Sequence, residues 1–171
     1  MIRPSPGPEP AARLFMASIV ATAVGIFFGI FLLLINPAQA VLVALVVLVA
    51  LVVLVGVVGV LSFFRHTVFF RSDQARMGWS PDHPQFQMEV GYANLAIGVT
   101  ALASAVFSWG MTAAAVSFFT YGLYLLGALA VHIRDVRLDP TLKKKKMPSI
   151  VNTALFVVFL FLFGAVALTQ T

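Results

Sequence analysis

A chain of 171 residues that is 61% hydrophobic and 10% charged, with a mean hydropathy of +1.02, lies outside the composition of water-soluble domains and in the membrane class. It holds no cysteine, which excludes disulfides, thiolate metal sites and cysteine nucleophiles. The formal charge of +5 does not mark a nucleic-acid binder, because the basic residues fall between apolar stretches, where they report orientation in a bilayer.

Residues 1–13 carry four prolines and end at Arg13, which reads as a disordered leader ahead of a single membrane domain, 14–171. The first span, 14–35, has no charge and is long enough to cross a hydrocarbon core of ~30 Å. Within it Ala21, Gly25 and Gly29 recur at every fourth position, a spacing that lets another helix approach closely. Pro37 breaks the run, and the turn around it leads into a second span, 41–64. Ala38 and Ala40 resemble a signal-peptidase site, but signal cores are only ~7–15 residues long and the chain beyond is again apolar. The Val/Leu run of the second span is helical, since a lone strand in hydrocarbon would leave its backbone unpaired. Its low complexity reads as a largely lipid-facing surface.

A basic interfacial loop, 65–85, follows, mixing Arg65, His66, Arg71, Asp73 and Arg76 with aromatic residues such as Trp79. Pro84 then sits in the first turn of the third span, 86–107. Ser108, Trp109 and Gly110 leave room only for a turn before the fourth span, 111–131, which carries Tyr121 and Tyr124 and ends at His132. A second basic loop, 132–148, contains Lys143, Lys144, Lys145 and Lys146, and Pro148 opens the fifth span, 150–168, with Asn152 near its start.

With five spans, all 11 lysines and arginines fall on one side: Arg3 and Arg13, then Arg65, Arg71 and Arg76, then Arg134, Arg137 and the four lysines. The positive-inside rule makes that side cytoplasmic. The expected fold is therefore an all-α, polytopic helical bundle of five transmembrane helices, N-terminus cytoplasmic and C-terminus outside, in the cytoplasmic membrane.

Two stretches, Ala75-Arg76-Met77-Gly78-Trp79 and Gln85 through Glu89-Val90-Gly91-Tyr92-Ala93-Asn94 to Gly98, resemble the shared core of a family of small, uncharacterised bacterial membrane proteins, domain-of-unknown-function family 6790. Tyr121-Gly122, and Gly127 through His132 to Asp135, continue the likeness, which covers residues 65–168. The family pattern has Ser-Pro-Phe-Gln before the glutamate. Here His83-Pro84-Gln85-Phe86-Gln87 is one residue longer, which displaces the helix start and leaves the core untouched. The resemblance implies a membrane fold and brings no activity with it.

Candidate sites follow from polar groups in apolar surroundings, which are costly and mark function or interhelical bonding. Glu89 stands about one turn into its helix, where the macrodipole favours a carboxylate by ~0.3–1 kcal/mol. Gly91, Asn94 and Gly98 share one helical stripe that reads as a packing face, so that Gly98→Leu is expected to destabilise more than Gly59→Leu. Glu89, His132 and Asn152 are expected to form one polar layer near the cytoplasmic face, extended by Tyr121. The lysine block is a candidate site for anionic lipid headgroups. No catalytic residue, metal site or cofactor is expected. The leading functional reading is a non-enzymatic accessory or scaffold protein packing through Gly25, Gly29, Gly91 and Gly98 against itself or a membrane partner. The alternative is a small transporter or channel with a site at Glu89, Asn94 and His132.

The charge pattern generates a direct test of orientation. A reporter active only outside the membrane should work when fused after Thr171, and strong activity of a cytoplasmic reporter at that position would overturn the arrangement.

Overall fold

The computed structural model describes residues 9–35, 40–79 and 84–171. The first eight residues of the expected leader, the first turn at 36–39, and Asp82 and His83 lie outside these. Helix α1 covers Glu9–Ile35, so the leader gives way to helix before Arg13. The second rod comprises α2 (Ala40–Ala50), a π-helical stretch Leu51–Val57, α3 (Val58–Phe63) and a second π-helical stretch Phe64–Val68. Then come α4 (Phe70–Met77), α5 (Pro84–Val106), α6 (Met111–Leu138), a 3₁₀ turn Pro140–Leu142 and α7 (Lys143–Leu168). Among the described residues there is no strand, and five helices are long and apolar enough to cross a membrane.

The second rod is the axis of the bundle. Val46, Val47, Leu51, Leu54 and Val55 are at most 1% exposed, and this rod touches α1, α5, α6 and α7. The expectation of a largely lipid-facing surface is therefore corrected for this inward face, while Val41, Leu45, Leu48 and Val49 on the other side remain exposed. A helix that is apolar all round has no polar face to hold at a boundary, and it can be surrounded as readily as it can face lipid.

Small residues let its neighbours close in. A Cβ on Gly25 of α1 would come within 2.8 Å of Leu54. At the crossing with α5 the contact is backbone on backbone: a Cβ on Gly59 would lie 2.8 Å from the Asn94 carbonyl oxygen and 2.9 Å from Gly98 Cα, and one on Gly98 would lie 2.9 Å from the Gly56 carbonyl oxygen. Gly91 belongs to the same seam, where a side chain would run into the Thr67 hydroxyl. Gly29 lies in α1.

Both expected basic loops are largely helical. The second rod continues through Val68, bends at Phe69 and resumes as α4, which ends at Gly78 in the left-handed conformation (φ 71°) with Trp79 N–H donating to the Gln74 carbonyl. α6 runs on to Leu138, and Asp139 caps the 3₁₀ turn by accepting from Thr141 N–H (3.0 Å). α7 then begins at Lys143, with Pro148 inside it. Hydropathy marks where a span leaves hydrocarbon, whereas a helix can continue into water because its backbone bonds are satisfied internally.

Because Gly59 and Gly98 face each other across one seam, the unequal cost expected for their replacement is corrected. Gly59→Leu and Gly98→Leu should each lower stability by on the order of 2–3 kcal/mol, since neither backbone can yield a side chain's width. Thermal unfolding in mild detergent measures this, and full tolerance at Gly59 would contradict the seam.

Candidate functional site

The polar groups of the basic end converge on Asp73, whose side chain is fully buried in α4. Its Oδ1 accepts from Arg76 Nη2 at 2.8 Å and Nε at 3.1 Å, three residues along the same helix. Its Oδ2 accepts from Gln87 Nε2 of α5 at 3.0 Å and lies 2.9 Å from His66 Nδ1. Arg65 Nε is 3.8 Å from Oδ1, and Arg65 Nη2 meets His66 Nε2 at 2.9 Å. A neutral His66 with its proton on Nδ1 leaves Nε2 to accept from the guanidinium and turns the donor side of the ring toward the carboxylate, close to Oδ2 but outside hydrogen-bond geometry; this tautomer is assigned from the partners. Burial opposes ionisation of Asp73, but His66 and the two arginines outweigh it and hold the carboxyl well below the usual carboxylate range. The second π-helical stretch supplies Arg65 and His66 to this cluster, and such widened turns recur where a helix must re-aim side chains.

Two guanidiniums thus meet one carboxylate, and both lie over the Phe15 ring of α1, Arg76 at 4.5 Å and Arg65 at 5.7 Å from its centroid. Arg76 Nη1 also donates to Ser149 Oγ of α7 at 3.3 Å. Above them opens a cavity of about 370 Å³ to which α1, the second rod, α5, α6 and α7 all contribute side chains. That volume is in the range of small-molecule sites, roughly 300–1,000 Å³.

The inner wall is a Tyr-Asn-Tyr set. Tyr121 donates to Asn94 Oδ1 at 3.1 Å, and Asn94 Nδ2 donates to the Tyr124 hydroxyl at 2.9 Å and to the Val90 carbonyl at 2.7 Å. Another part of the wall is built by Trp79, which follows Gly78 and packs against α6. The indole stacks on His132, with centroids 5.8 Å apart and planes within 14°, and Lys146 Nζ sits 5.5 Å from the indole ring while paired with Asp135. His132 Nδ1 and Arg65 Nε are buried without a hydrogen-bond partner among the described residues. Buried polar atoms of this kind call for a water or a ligand.

The expected site residues divide. His132, Asn94, Tyr121 and Asn152 line the one cavity. Glu89 is exposed and does not line it. At 3.6 residues per turn, Glu89 stands on the other side of α5 from Gln87, Gly91, Asn94 and Gly98, which are buried. The lysine block divides too: Lys143, Lys144 and Lys145 are exposed, but Lys146 is fully buried and turned inward to Asp135. Arg65, His66, Asp73 and Arg76 were absent from the candidate set. Their spacing carries a signal once the segment is taken as helix, because residues 66 and 73 are two turns apart and 73 and 76 one turn apart.

Residues 15–170 match a family described as a family of unknown function, DUF6790, and the chain belongs to that family. The match takes in the first span, beyond the reach of the motifs at residues 65–168. No curated protein and no solved structure matches the chain.

Asp73 predicts a pH dependence. A carboxyl whose pKa is depressed on folding stabilises the protein fully above its unfolded value of ~3.9, and that contribution fades as pH falls through the lower folded value. Asp73 should therefore add no slope between about pH 5 and about pH 8 and should cause a loss of stability in stronger acid. Asp73→Asn should flatten that acid limb and lower stability at neutral pH by about 3–5 kcal/mol, because it strands two buried guanidiniums. Thermal unfolding as a function of pH checks both.

Proposed function

We propose that this chain is a non-enzymatic, multi-pass protein of the bacterial cytoplasmic membrane, N-terminus cytoplasmic and C-terminus outside, that binds a small anionic ligand in the cavity at its cytoplasmic end. The observation that carries this reading is the cavity itself, with two guanidiniums against one carboxylate in its lining and immediate surroundings. Such a space has an excess of positive charge, and low surrounding polarity strengthens its attraction for an anion. The orientation is supported by the basic residues, which gather at the end of the bundle where the cavity lies.

Two other readings weigh less. A scaffold packing through glycine faces is disfavoured because Gly25, Gly56, Gly59, Gly91 and Gly98 are all occupied by contacts within the chain. A channel is disfavoured because the polar lining stops at the level of Thr22, Asn94 and Tyr121. Beyond it the core is apolar, formed by Val43, Val46, Val47, Phe163 and Ala167 among others. Glu89 is not part of the proposed site.

Ligand binding to the folded state raises its stability by mass action, ~2.7 kcal/mol at a hundredfold excess over Kd. For a chain of this size that is a shift of roughly 5–10 °C in Tm. A panel of carboxylates and phosphate monoesters, screened by thermal unfolding in mild detergent, should contain members that give such a shift. Asn152→Leu should abolish the shift while leaving the Tm of the free protein within about 2 °C, since the added bulk enters empty space. No stabilisation by any anion at millimolar concentration would defeat the reading.

A further inference from the structure

We propose that the ligand is a single-chain amphiphile with an anionic head, and that it enters the cavity sideways from the bilayer through a gap between α5 and α6. This rests on the ligand-binding reading above and adds to it the ligand's class and its route.

The exposed part of the cavity wall carries the argument. Phe86 of α5 is 71% exposed and Val131 of α6 is 54% exposed, although both line the cavity. One turn before Val131 on α6 lies Gly127, also exposed and also lining the cavity, where a Cβ would meet nothing within 4 Å. Val90 and Ala128 complete this rim. These five residues are apolar and lie at the basic ends of the third and fourth of the helices able to cross a membrane, so the opening they frame faces the level at which lipid heads would give way to chains. A free anion arriving from water would meet no polar group at this rim. An amphiphile would place its chain against Phe86, Val90 and Val131 while its head reached the polar interior.

Inside, the chemistry suits a carboxylate or phosphate head. Arg65 and Arg76 share one countercharge, Asp73, and guanidiniums bind both kinds of oxyanion through paired donors. Arg65 Nε is a buried donor without a hydrogen-bond partner among the described residues. A volume of about 370 Å³ accommodates a head and part of one chain, with the remainder of the chain left in the gap. It is too small to enclose a second chain.

Trp79 lines the cavity and Trp109 stands in the turn at the far end, so Trp109→Phe leaves a single reporter. With this variant in nanodiscs, a dibrominated stearate should quench Trp79 saturably, and unbrominated stearate should relieve the quenching. Hexanoate and inorganic phosphate should not compete. Gly127→Phe, at a position where an added Cβ meets nothing within 4 Å, should raise the half-saturating concentration about tenfold or more with Tm unchanged. Should Gly127→Phe fail to fold, Val131→Phe narrows the same gap from an exposed position and decides the matter. Lysophosphatidate competing better than stearate would assign a phosphate head within the same proposal. Competition by hexanoate or inorganic phosphate, together with indifference to both gap variants, would show an anion site fed from water; lateral entry would then be overturned while ligand binding stood. Absence of saturable quenching, combined with no anion-induced rise in Tm, would overturn both.

Discussion

The buried carboxylate of Asp73 is the constraint on which the basic end of this bundle depends. It draws Arg65 and His66 from the second rod, Arg76 from α4 and Gln87 from α5 onto one centre. Arg76 carries the linkage to Ser149 of α7, and Ser72, beside Asp73, accepts from the Ala11 backbone N–H of α1 at 3.1 Å. Taking these charges out of water is expensive, and an apolar cluster of equal volume would hold the helices together at least as well. What the cluster adds is position. It fixes two guanidiniums and an imidazole at the floor of a cavity that apolar packing alone would have filled.

The cavity exists because the bundle is tight elsewhere. Close approach along the Gly56, Gly59 and Gly98 seam draws α5 against the second rod, and α7 packs along α6 through Phe118 and Phe163, whose rings stack at 5.9 Å. Between these two pairs, at the basic end, Tyr121 and Tyr124 are tied to α5 by the hydrogen bonds they make with Asn94. Hydrogen-bonded phenols and an amide keep a defined geometry at a wall facing empty space, where aliphatic side chains would collapse inward.

Much of this fold was legible from the chain because hydropathy over some twenty residues and the identity of turn residues are local properties. Five spans, the turn at Ser108, Trp109 and Gly110, and the inward face of Gly91, Asn94 and Gly98 are all properties of that kind. The Asp73 centre was not, since Arg65, His66, Asp73 and Arg76 share a face only when the segment is helical, and charged residues beside an apolar run read as loop. Glu89 was misplaced for a different reason: its depth along α5 follows from its position in the chain, but at 3.6 residues per turn it falls opposite the Gly91, Asn94 and Gly98 stripe, so taking that stripe as the packing face already turns Glu89 outward. Likewise the run 41–64 has no polar face from which to read an inside, and only its neighbours reveal that it is the axis.

Under the proposed orientation and function, the basic residues would serve two purposes that pull in the same direction. Arg13, Arg71, Arg134, Arg137 and the exposed lysines have side chains outside the cavity and suit the role of anchoring one end at an anionic surface. Arg65, Arg76 and Lys146 sit at the same end but are turned inward, each with a carboxylate partner. A guanidinium is far less costly near an interface than at the centre of a bilayer, so an anion-binding cavity would have good physical reason to open where the charges proposed to set the orientation already are. Under the proposed orientation, the charges that set which way the chain inserts and those that would receive a ligand occupy one boundary. The apolar gap between α5 and α6 then adjoins the depth at which the head of an amphiphile in the cytoplasmic leaflet would lie, so that head and chain could each pass into surroundings like those they leave.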